Sequence, residues 1–376
     1  MSTIVSQQPQ PRVVVIGGGA TGTGIVRELA ENGYRATLIE RGSLGSGTSG
    51  HFHGMLHSGA RYVVNDPAVA ADCYRENQIL RRIAPSAIID TGGMFVALTE
   101  PEAAHADTII QACQKAGIPV EEISREQALE MEPHLTHRIR RAFLVPDGYI
   151  RGEEIIRLNR VAAESSSATI LEYHEVTKLH RKGERITEVV IKNAQTNESQ
   201  SVECDFIINA AGVWAPAIAK LAGASIDMVY DKGTMIAFTR RFSNRVLNRC
   251  RPEADGDLLV TNNSRSVMGT TARVVASPDD TTVTQEEVDL LMAEGAALIP
   301  QLQHAEVKNV YAGVRPLSSA PNESAKSSSR GISRSFEVID HADAGVENFL
   351  GVVGGKVTLY RLMAERTVEK LRSKMR

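Results

Sequence analysis

The sequence lacks the features that mark several specialised classes of protein. Its four cysteines, at positions 73, 113, 204 and 250, form no C-x-x-C pair, so zinc, iron–sulfur and dithiol sites are not indicated. No apolar run approaches the roughly 20 residues that span a bilayer, and the N-terminal segment lacks the basic and apolar regions of a secretion signal. We therefore expect a cytoplasmic protein with reduced thiols.

An excess of charge of one sign is also absent. The 42 Lys and Arg residues nearly balance the 45 Asp and Glu residues, and the formal net charge is −3. Overall charge therefore gives no indication of a nucleic-acid partner. A chain of 376 residues usually divides into domains, and we expect two.

A βαβ unit is predicted near the N-terminus. The hydrophobic run Val13 to Ile16 precedes Gly17-Gly18-Gly19-Ala20-Thr21-Gly22, which fits G-x-G-x-x-G. Apolar residues then recur at helical spacing, and a second hydrophobic run, residues 36–39, ends at Glu40. Strand, glycine turn, helix, strand and acid in this order are typical of a site for an ADP-containing cofactor.

The residue types of this unit suit that role. Gly17 allows the tight turn, Gly19 lets the backbone approach a pyrophosphate, and Gly22 lets helix and strand pack closely. The helix N-terminus attracts phosphate. Glu40 can accept hydrogen bonds from the ribose hydroxyls and would repel a 2′-phosphate, which argues against NADP. The fingerprint alone does not separate FAD from NAD.

The next segment favours FAD. Residues 42–62 form a long Gly/Ser-rich loop that contains His51, His53 and His57. Such a loop suits close wrapping of a large planar cofactor better than another βα unit would. The histidine spacing matches no closed zinc pattern, so no metal site is predicted.

The chain resembles the FAD-dependent glycerol-3-phosphate dehydrogenases, a branch of the D-amino-acid-oxidase-like flavoproteins, and most closely their anaerobic bacterial branch. The shared segments cover nearly the whole chain. They include IGGGATGTGI, HGMLHSGARY, ENQILRRIA, NAAGVWAP, VLNRCR, YAGVRPL and GGKVTLYRLMAE.

The resemblance implies an α/β fold: a Rossmann-like, glutathione-reductase-like FAD-binding domain interleaved with an antiparallel-sheet substrate domain. The expected FAD-binding domain comprises residues 12–82, 150–224 and 337–376, and the substrate domain residues 83–149 and 225–336. The implied activity is oxidation of sn-glycerol 3-phosphate to dihydroxyacetone phosphate by hydride transfer from C2 to flavin N5. Quinone or a partner subunit would then receive the electrons.

Three departures from the family pattern leave alternatives open. The anaerobic catalytic subunits continue into a cysteine-rich region associated with iron–sulfur chemistry, whereas this sequence stops at Arg376. Met235 stands where aerobic relatives have histidine, and Arg151-Gly152 where relatives usually have Asp-Pro. The alternatives are another phosphorylated polyol or a 2-hydroxy acid as substrate, or a flavin-carrying subunit that is active only in a complex.

Phosphate recognition and alcohol oxidation indicate the catalytic candidates. Arginine's planar fork suits a phosphate dianion, and by resemblance Arg61, Arg315 and Arg334 face the substrate, with Tyr62 beside Arg61. A surface ion pair is the alternative role for each arginine. His57 is our candidate general base, although it could equally be a plain loop histidine.

Lys356 follows Gly354-Gly355 at the predicted start of the C-terminal helix, where it would add positive charge beside the flavin; otherwise it is a solvated lysine. The resemblance also places Ala211, Gly212 and Val176 at the cofactor. The full set predicted to bind FAD is Gly17, Gly19, Ala20, Thr21, Gly22, Glu40, Arg41, Thr48, Ser49, His53, Gly54, Val176, Ala211, Gly212, Gly355, Lys356, Val357 and Thr358.

Two further segments have alternative interpretations. The serine-rich stretch from Ser318 to Arg330 is either a closing lid or a solvated loop. The basic tail from Lys370 to Arg376 either complements its own helix C-terminus or contacts anionic lipid, which would place the protein peripherally on the inner face of the cell membrane.

Overall fold

The predicted βαβ unit lies at the centre of a six-stranded sheet. The computed structural model describes residues 10–318 and 329–375. The strands are β1 Arg12–Ile16, β2 Arg35–Ile39, β3 Met55–Leu56, β4 Ile88–Ile89, β5 Gly93–Ala97, β6 Glu121–Ile123, β7 Arg141–Val145, β8 Gly148–Ile150, β9 Thr169–Leu171, β10 His174–Lys182, β11 Arg185–Asn193, β12 Ser199–Glu203, β13 Phe206–Asn209, β14 Met228–Phe238, β15 Val246–Arg249, β16 Leu258–Thr261, β17 Ser266–Gly269, β18 Arg273–Val275, β19 Val307–Ser318, β20 Phe336–Asp340 and β21 Phe349–Gly354.

The helices connect and cover these strands. They are α1 Ala20–Glu31, α2 Pro67–Ile83, α3 Glu100–Lys115, α4 Arg125–Met131, α5 Gly152–Ser165, α6 Ala215–Leu221, α7 Gln285–Leu298 and α8 Tyr360–Lys374. In the described ranges none is long and apolar enough to cross a membrane.

The six-stranded sheet has the order β20-β21-β13-β1-β2-β9 and is parallel except for β20. Val13 and Val15 of β1 belong to one apolar cluster with Ile25 and Leu29 of α1. Val14 and Ile16 belong to a second cluster on the opposite face. The uninterrupted apolar run is therefore buried on both faces, as expected for a central parallel strand.

A larger sheet lies in the middle of the sequence. Its strands follow the order β18-β14-β17-β16-β15-β5-β7-β6, with β19 also pairing with β14, and only β15 and β5 run parallel. A three-stranded sheet, β10-β11-β12, and a small sheet, β3-β8-β4, complete the described strands. The predicted α/β class with an added antiparallel sheet is confirmed, while the domain boundaries given above stay a prediction.

Helix α7 attaches to the larger sheet through its own N-terminal cap. Thr284 and Glu287 form a capping box. The buried Glu287 carboxylate also accepts hydrogen bonds from Lys232, Thr234 and Thr271, at 3.0, 2.9 and 2.7 Å. A cap that is also bonded to two strand residues fixes the segment that follows β17.

The start of the C-terminal helix differs from the prediction. Gly354 and Gly355 adopt φ values of +80° and +74°, and a short 3₁₀ turn, Val357–Leu359, precedes α8. Lys356 therefore stands one turn before the α-helix rather than at its first residue. The two left-handed glycines are incompatible with α-helix at that point.

The described part of the basic tail is engaged within the chain. Lys370 Nζ lies 3.3 Å from a carboxylate oxygen of Asp340, and Lys374 pairs with the other oxygen. These contacts bind α8 to β20 and support the intramolecular interpretation. Residues 319–328 of the predicted lid and Arg376 of the tail lie outside the described residues.

Candidate active site

A cavity of about 700 Å³ lies where the three larger sheets approach one another. Its lining includes the glycine turn, Val176 of β10, Arg315 of β19, and Thr270, which follows β17. This volume is in the range that holds a cofactor or another organic ligand. Thr48 Oγ1 donates a hydrogen bond of 2.8 Å to the Val314 carbonyl, so the Gly/Ser-rich loop is joined directly to β19.

The glycine turn forms a cradle without side chains. Gly17 has a φ of +111°, and a Cβ there would lie 2.4 Å from the Ala210 carbonyl oxygen. A Cβ at Gly22 would lie 1.9 Å from the Gly17 carbonyl oxygen. Only glycine fits either position, because the turn, α1 and β13 approach too closely for another residue.

Glu40 closes this cradle at the end of β2. Its carboxylate accepts backbone hydrogen bonds from Gly18 at 2.6 Å and Gly42 at 2.8 Å. Each carboxylate oxygen has further acceptor capacity, so Glu40 can also bind ribose hydroxyls. The Arg41 guanidinium lies 3.9 Å from the centre of the Trp214 ring, and both side chains line the cavity.

Nearly all of the residues predicted to bind FAD line this cavity. The exceptions are Gly22 and Gly54. Gly22 serves the packing of α1, as described above, and a Cβ at Gly54 would lie 2.2 Å from the Tyr149 ring. The lining members are Gly17, Gly19, Ala20, Thr21, Glu40, Arg41, Thr48, Ser49, His53, Val176, Ala211, Gly212, Gly355, Lys356, Val357 and Thr358.

The three predicted substrate arginines also line the cavity, and we call Arg61, Arg315 and Arg334 the arginine cluster. Asp231, fully buried in β14, accepts from Arg315 Nε at 2.8 Å and from Arg334 Nη1 at 3.2 Å. Ser329 Oγ donates to its other oxygen at 2.8 Å. Because one buried carboxylate serves both guanidinium groups, their positions are coupled.

Arg315 is held further by the segment that follows β17. Its Nη1 donates to Thr270 Oγ1 at 3.0 Å and its Nη2 to the Thr271 carbonyl at 2.8 Å. Arg61 is held separately, since its Nη2 lies 3.0 Å from the buried carboxylate of Asp257. The cluster is therefore built of fixed cations rather than solvated side chains.

Lys356 and Tyr62 connect the cluster to the Gly354-Gly355 turn. Lys356 Nζ donates to the Arg334 carbonyl at 2.8 Å and lies 4.4 Å from the centre of the Tyr62 ring. Burial, followed by the charge of Arg334 among the causes that lower it, reduces the pKa of Lys356 below its usual value. Burial also raises the pKa of the Tyr62 phenol, which keeps it protonated at neutral pH.

His57 lies beside Tyr62, with 5.3 Å between the ring centres. Its Nδ1 is buried and has no hydrogen-bond partner among the described residues. Burial, and then the charges of His53, Lys356 and Arg61, lower the pKa of His57 well below its usual value. Burial lowers the pKa of His53 to about 3, so both rings are neutral and can accept a proton or hydrogen bond.

Sequence reasoning missed several residues of the site. Asp231 and Asp257 hold the arginines, and Thr270, Glu253 and Arg330 line the cavity. The one available signal was physical, because an arginine held inside a binding cavity requires a carboxylate partner. Nothing in the local pattern indicated which carboxylate it would be.

Met235 and Arg151, the two departures from the family pattern that left the identity of the substrate undecided, do not line the cavity. Met235 is buried in β14, and Arg151 caps α5 and donates to the Ser86 carbonyl. Arg151 thus belongs to another part of the fold, whereas Met235 shares β14 with Asp231.

The site fits a flavin dinucleotide. The side-chain-free cradle at the N-terminus of α1 suits a diphosphate, and Glu40 suits a ribose. The buried His57 Nδ1, which no described residue satisfies, is available to a polar or reacting group of a ligand. Fold and site together define a dinucleotide-binding oxidoreductase with a cationic substrate chamber.

Comparison with known proteins agrees with that class. The FAD dependent oxidoreductase family matches residues 12–369, and the chain belongs to this family. FAD, predicted from the sequence, is therefore confirmed as its cofactor.

Two relatives, one from Escherichia coli and one from Haloferax volcanii, carry the same enzyme name. The chain is 40% identical over 356 residues to the A subunit of anaerobic glycerol-3-phosphate dehydrogenase from Escherichia coli K12, covering 94% of this chain and 65% of that protein. Identity to the corresponding A1 subunit from Haloferax volcanii is 37%, covering 97% of this chain and 64% of that protein. The chain thus spans just under two thirds of these relatives. The predicted resemblance is confirmed.

Solved structures confirm the fold. L-α-glycerophosphate oxidase from Mycoplasma pneumoniae, with FAD bound, superposes with a TM-score of 0.80 at 20% identity, covering 97% of this chain and 95% of that one. Glycine oxidase from Bacillus cereus gives a TM-score of 0.79 at 20% identity, with 97% and 96% covered.

Proposed function

We propose that this chain oxidises sn-glycerol 3-phosphate to dihydroxyacetone phosphate with FAD as the cofactor. The observation that carries the proposal is the arginine cluster, in which guanidinium groups from distant parts of the sequence line the same cavity as the glycine cradle. Fixed arginines match a phosphate dianion, whereas an uncharged alcohol would not need them. The names of the E. coli and H. volcanii relatives support the same substrate.

Each residue has a distinct role in this reaction. Arg315 and Arg334, oriented by Asp231, bind the phosphate, and Lys356 adds positive charge to the chamber. His57 accepts the proton of the C2 hydroxyl at a ring nitrogen. Its pKa is low in the unliganded chamber, and a bound phosphate dianion would partly offset the charges of Arg61 and Lys356 and so raise it.

When bound, FAD supplies the two-electron acceptor for the hydrogen on C2. The cavity residues then have to hold C2 in place and exclude water from it, which the apolar lining, such as the partly buried Phe52 and the buried Met55 and Leu258, can do.

The visible spectrum tests the proposal directly. Addition of glycerol 3-phosphate to the purified, FAD-loaded protein without oxygen should bleach the flavin band and release dihydroxyacetone phosphate in equal amount. A panel of 2-hydroxy acids and other phosphorylated polyols serves as the control. Bleaching by a hydroxy acid and not by glycerol 3-phosphate would refute the assignment.

For the electron acceptor we propose a partner subunit or quinone, because the E. coli and H. volcanii relatives are named as subunits. Turnover with a soluble dye but not with quinone would favour a partner subunit. Turnover with quinone by the chain alone would exclude the need for a partner subunit.

The proposed location is the cytoplasm or, peripherally, the membrane. Fractionation of cells tests it by showing which fraction holds the activity.

A further inference from the structure

One carboxylate in the cavity has no role so far. Among the described residues, three acidic side chains line it: Glu40, Glu175 and Glu253. Glu40 is bonded to the glycine cradle, and Glu175 is exposed on β10 beside Val176. Glu253, in the segment between β15 and β16, is the remaining one.

Glu253 acts on the substrate chamber rather than on the cradle. Its charge contributes to the electrostatic environment of Arg61, Tyr62 and Lys356, and it is the one acidic side chain common to all three. Within the described ranges its carboxylate makes no hydrogen bond or ion pair. Arg61, by contrast, is already paired with Asp257 at 3.0 Å.

A half-buried carboxylate that is not bonded to its cationic neighbours retains its acceptor capacity for a ligand. Glycerol 3-phosphate and the corresponding phosphorylated hydroxy acid both carry a C2 hydroxyl, and they differ at C1, where the first has a hydroxyl and the second a carboxylate. A carboxylate accepts hydrogen bonds from hydroxyl groups and repels another carboxylate at the same distance.

We propose that Glu253 determines specificity by accepting a hydrogen bond from the terminal C1 hydroxyl of the substrate and by excluding a carboxylate at that carbon. The inference rests on the function proposed above and deepens it, because a chamber rich in arginine would by itself also attract phosphorylated hydroxy acids. Without Glu253, Lys356 and Arg61 would be left to attract a carboxylate.

The test compares two ligands that differ only at C1: sn-glycerol 3-phosphate and 3-phosphoglycerate with the same spatial arrangement at C2. Oxidation of the first is followed by anaerobic flavin bleaching, and binding of the second by its inhibition and by the flavin spectral shift. The variants are Glu253→Gln, which keeps the shape, and Glu253→Ala. Glu130→Gln, on the exposed face of α4, makes the same change of charge at a distance and is the matched control.

We expect Glu253→Gln to lower kcat/KM for glycerol 3-phosphate roughly tenfold and to tighten binding of 3-phosphoglycerate roughly tenfold, since a charged acceptor becomes neutral. Glu253→Ala should lower kcat/KM further, and the control should leave both values unchanged. A ratio of the two affinities that moves by less than about twofold in both variants, with FAD still bound, would overturn the inference.

Failure of the proposed function gives a different result. If glycerol 3-phosphate does not reduce the wild-type flavin at all, the function is wrong, whatever the variants do. If it does reduce the flavin and the ligand ratio is unaffected, only the role of Glu253 is wrong.

Discussion

At the scale of single residues, buried carboxylates determine what the arginines can do. Asp231 binds both Arg315 and Arg334 and is itself fully buried. A buried arginine without its carboxylate would be costly. The pair of guanidinium groups is therefore preorganised before the substrate arrives, which reduces the entropy lost on binding.

Removal of Arg315 should impair catalysis by weakening phosphate binding. Because a hydrogen bond to a charged group contributes about 1.5 to 3 kcal/mol, we expect Arg315→Ala to lower kcat/KM for glycerol 3-phosphate roughly tenfold to a hundredfold or more. Arg315→Lys keeps the charge and loses the planar fork, so an intermediate loss is expected. Steady-state kinetics with a soluble dye measures both.

The exposed Arg82 on α2 provides the control, and Arg82→Ala should retain wild-type kcat/KM. Unchanged kcat/KM in Arg315→Ala, with the flavin still bound, would remove this arginine from the mechanism.

The arginines could be predicted from the sequence and their partners could not. Arg315 stands in the motif YAGVRPL, which carries the resemblance, whereas Asp231 lies 84 residues earlier in an ordinary strand sequence. Such a pair meets only because β14 and β19 are neighbours in register. Local pattern contains no information on that register.

At the scale of elements, the glycine turn couples the cofactor site to the packing of α1. Gly22 approaches the turn so closely that an added Cβ would lie 1.9 Å from the Gly17 carbonyl oxygen. Gly22→Ala must therefore displace either α1 or the turn, and we expect loss of tightly bound FAD together with a lower Tm. The flavin absorbance per protein and thermal unfolding measure the two effects.

Gly331→Ala is the matched control, since no atom of the described residues lies within 4 Å of the added Cβ there. It should keep both FAD content and Tm. If Gly22→Ala also keeps both, the close approach is not required for cofactor binding.

The end of α4 gives a pH dependence of stability. Glu132, which ends this helix, is buried, and its Oε2 accepts from the Asn244 backbone N–H at 2.7 Å. Burial raises its pKa from 4.5 to about 7. The folded state therefore favours the protonated acid, and the stabilisation is fully present below pH 4.5 and is lost as the pH rises through about 7.

This shift, from 4.5 to about 7, corresponds to on the order of 3 kcal/mol. Glu132→Gln keeps the acceptor and cannot ionise, so it should be stabilised relative to the wild type as the pH rises from 5 to 8. Urea unfolding at several pH values measures the difference. With the exposed Glu130→Gln as the reference, a constant difference across this range would refute the assignment.

Helices and strands could be predicted from the sequence where a single local rule determines their position. The run Val13 to Ile16 predicted β1 directly, because a strand that is buried on both faces is apolar at consecutive residues. The start of α8 was misplaced by one turn. There the left-handed Gly354 and Gly355 continue the strand turn, and sequence spacing cannot distinguish that from a helix start.

At the scale of the whole molecule, the active site is a product of separate sheets. The glycine cradle follows β1, Val176 lies in β10, and Arg315 lies in β19, yet all of them line one cavity. Sequence motifs indicated these parts individually. Their convergence depends on long-range strand pairing, which the resemblance implied and the local sequence did not.

Because FAD would contact parts of all three sheets, its removal should destabilise the molecule as a whole. Binding to the native state adds about 2.7 kcal/mol when free FAD is 100 times its Kd. We therefore expect the FAD-free protein to unfold at a clearly lower Tm, and added FAD to raise the Tm in a concentration-dependent way.

Two probes show whether the cavity and the rest of the molecule unfold together. Trp214, the single tryptophan, lines the cavity, so its fluorescence reports the site while circular dichroism reports all helices and strands. Coincident transitions by both probes, shifting together with FAD, are expected. A fluorescence transition that shifts while the circular dichroism transition stays fixed would show that the cavity unfolds independently of the sheets that surround it.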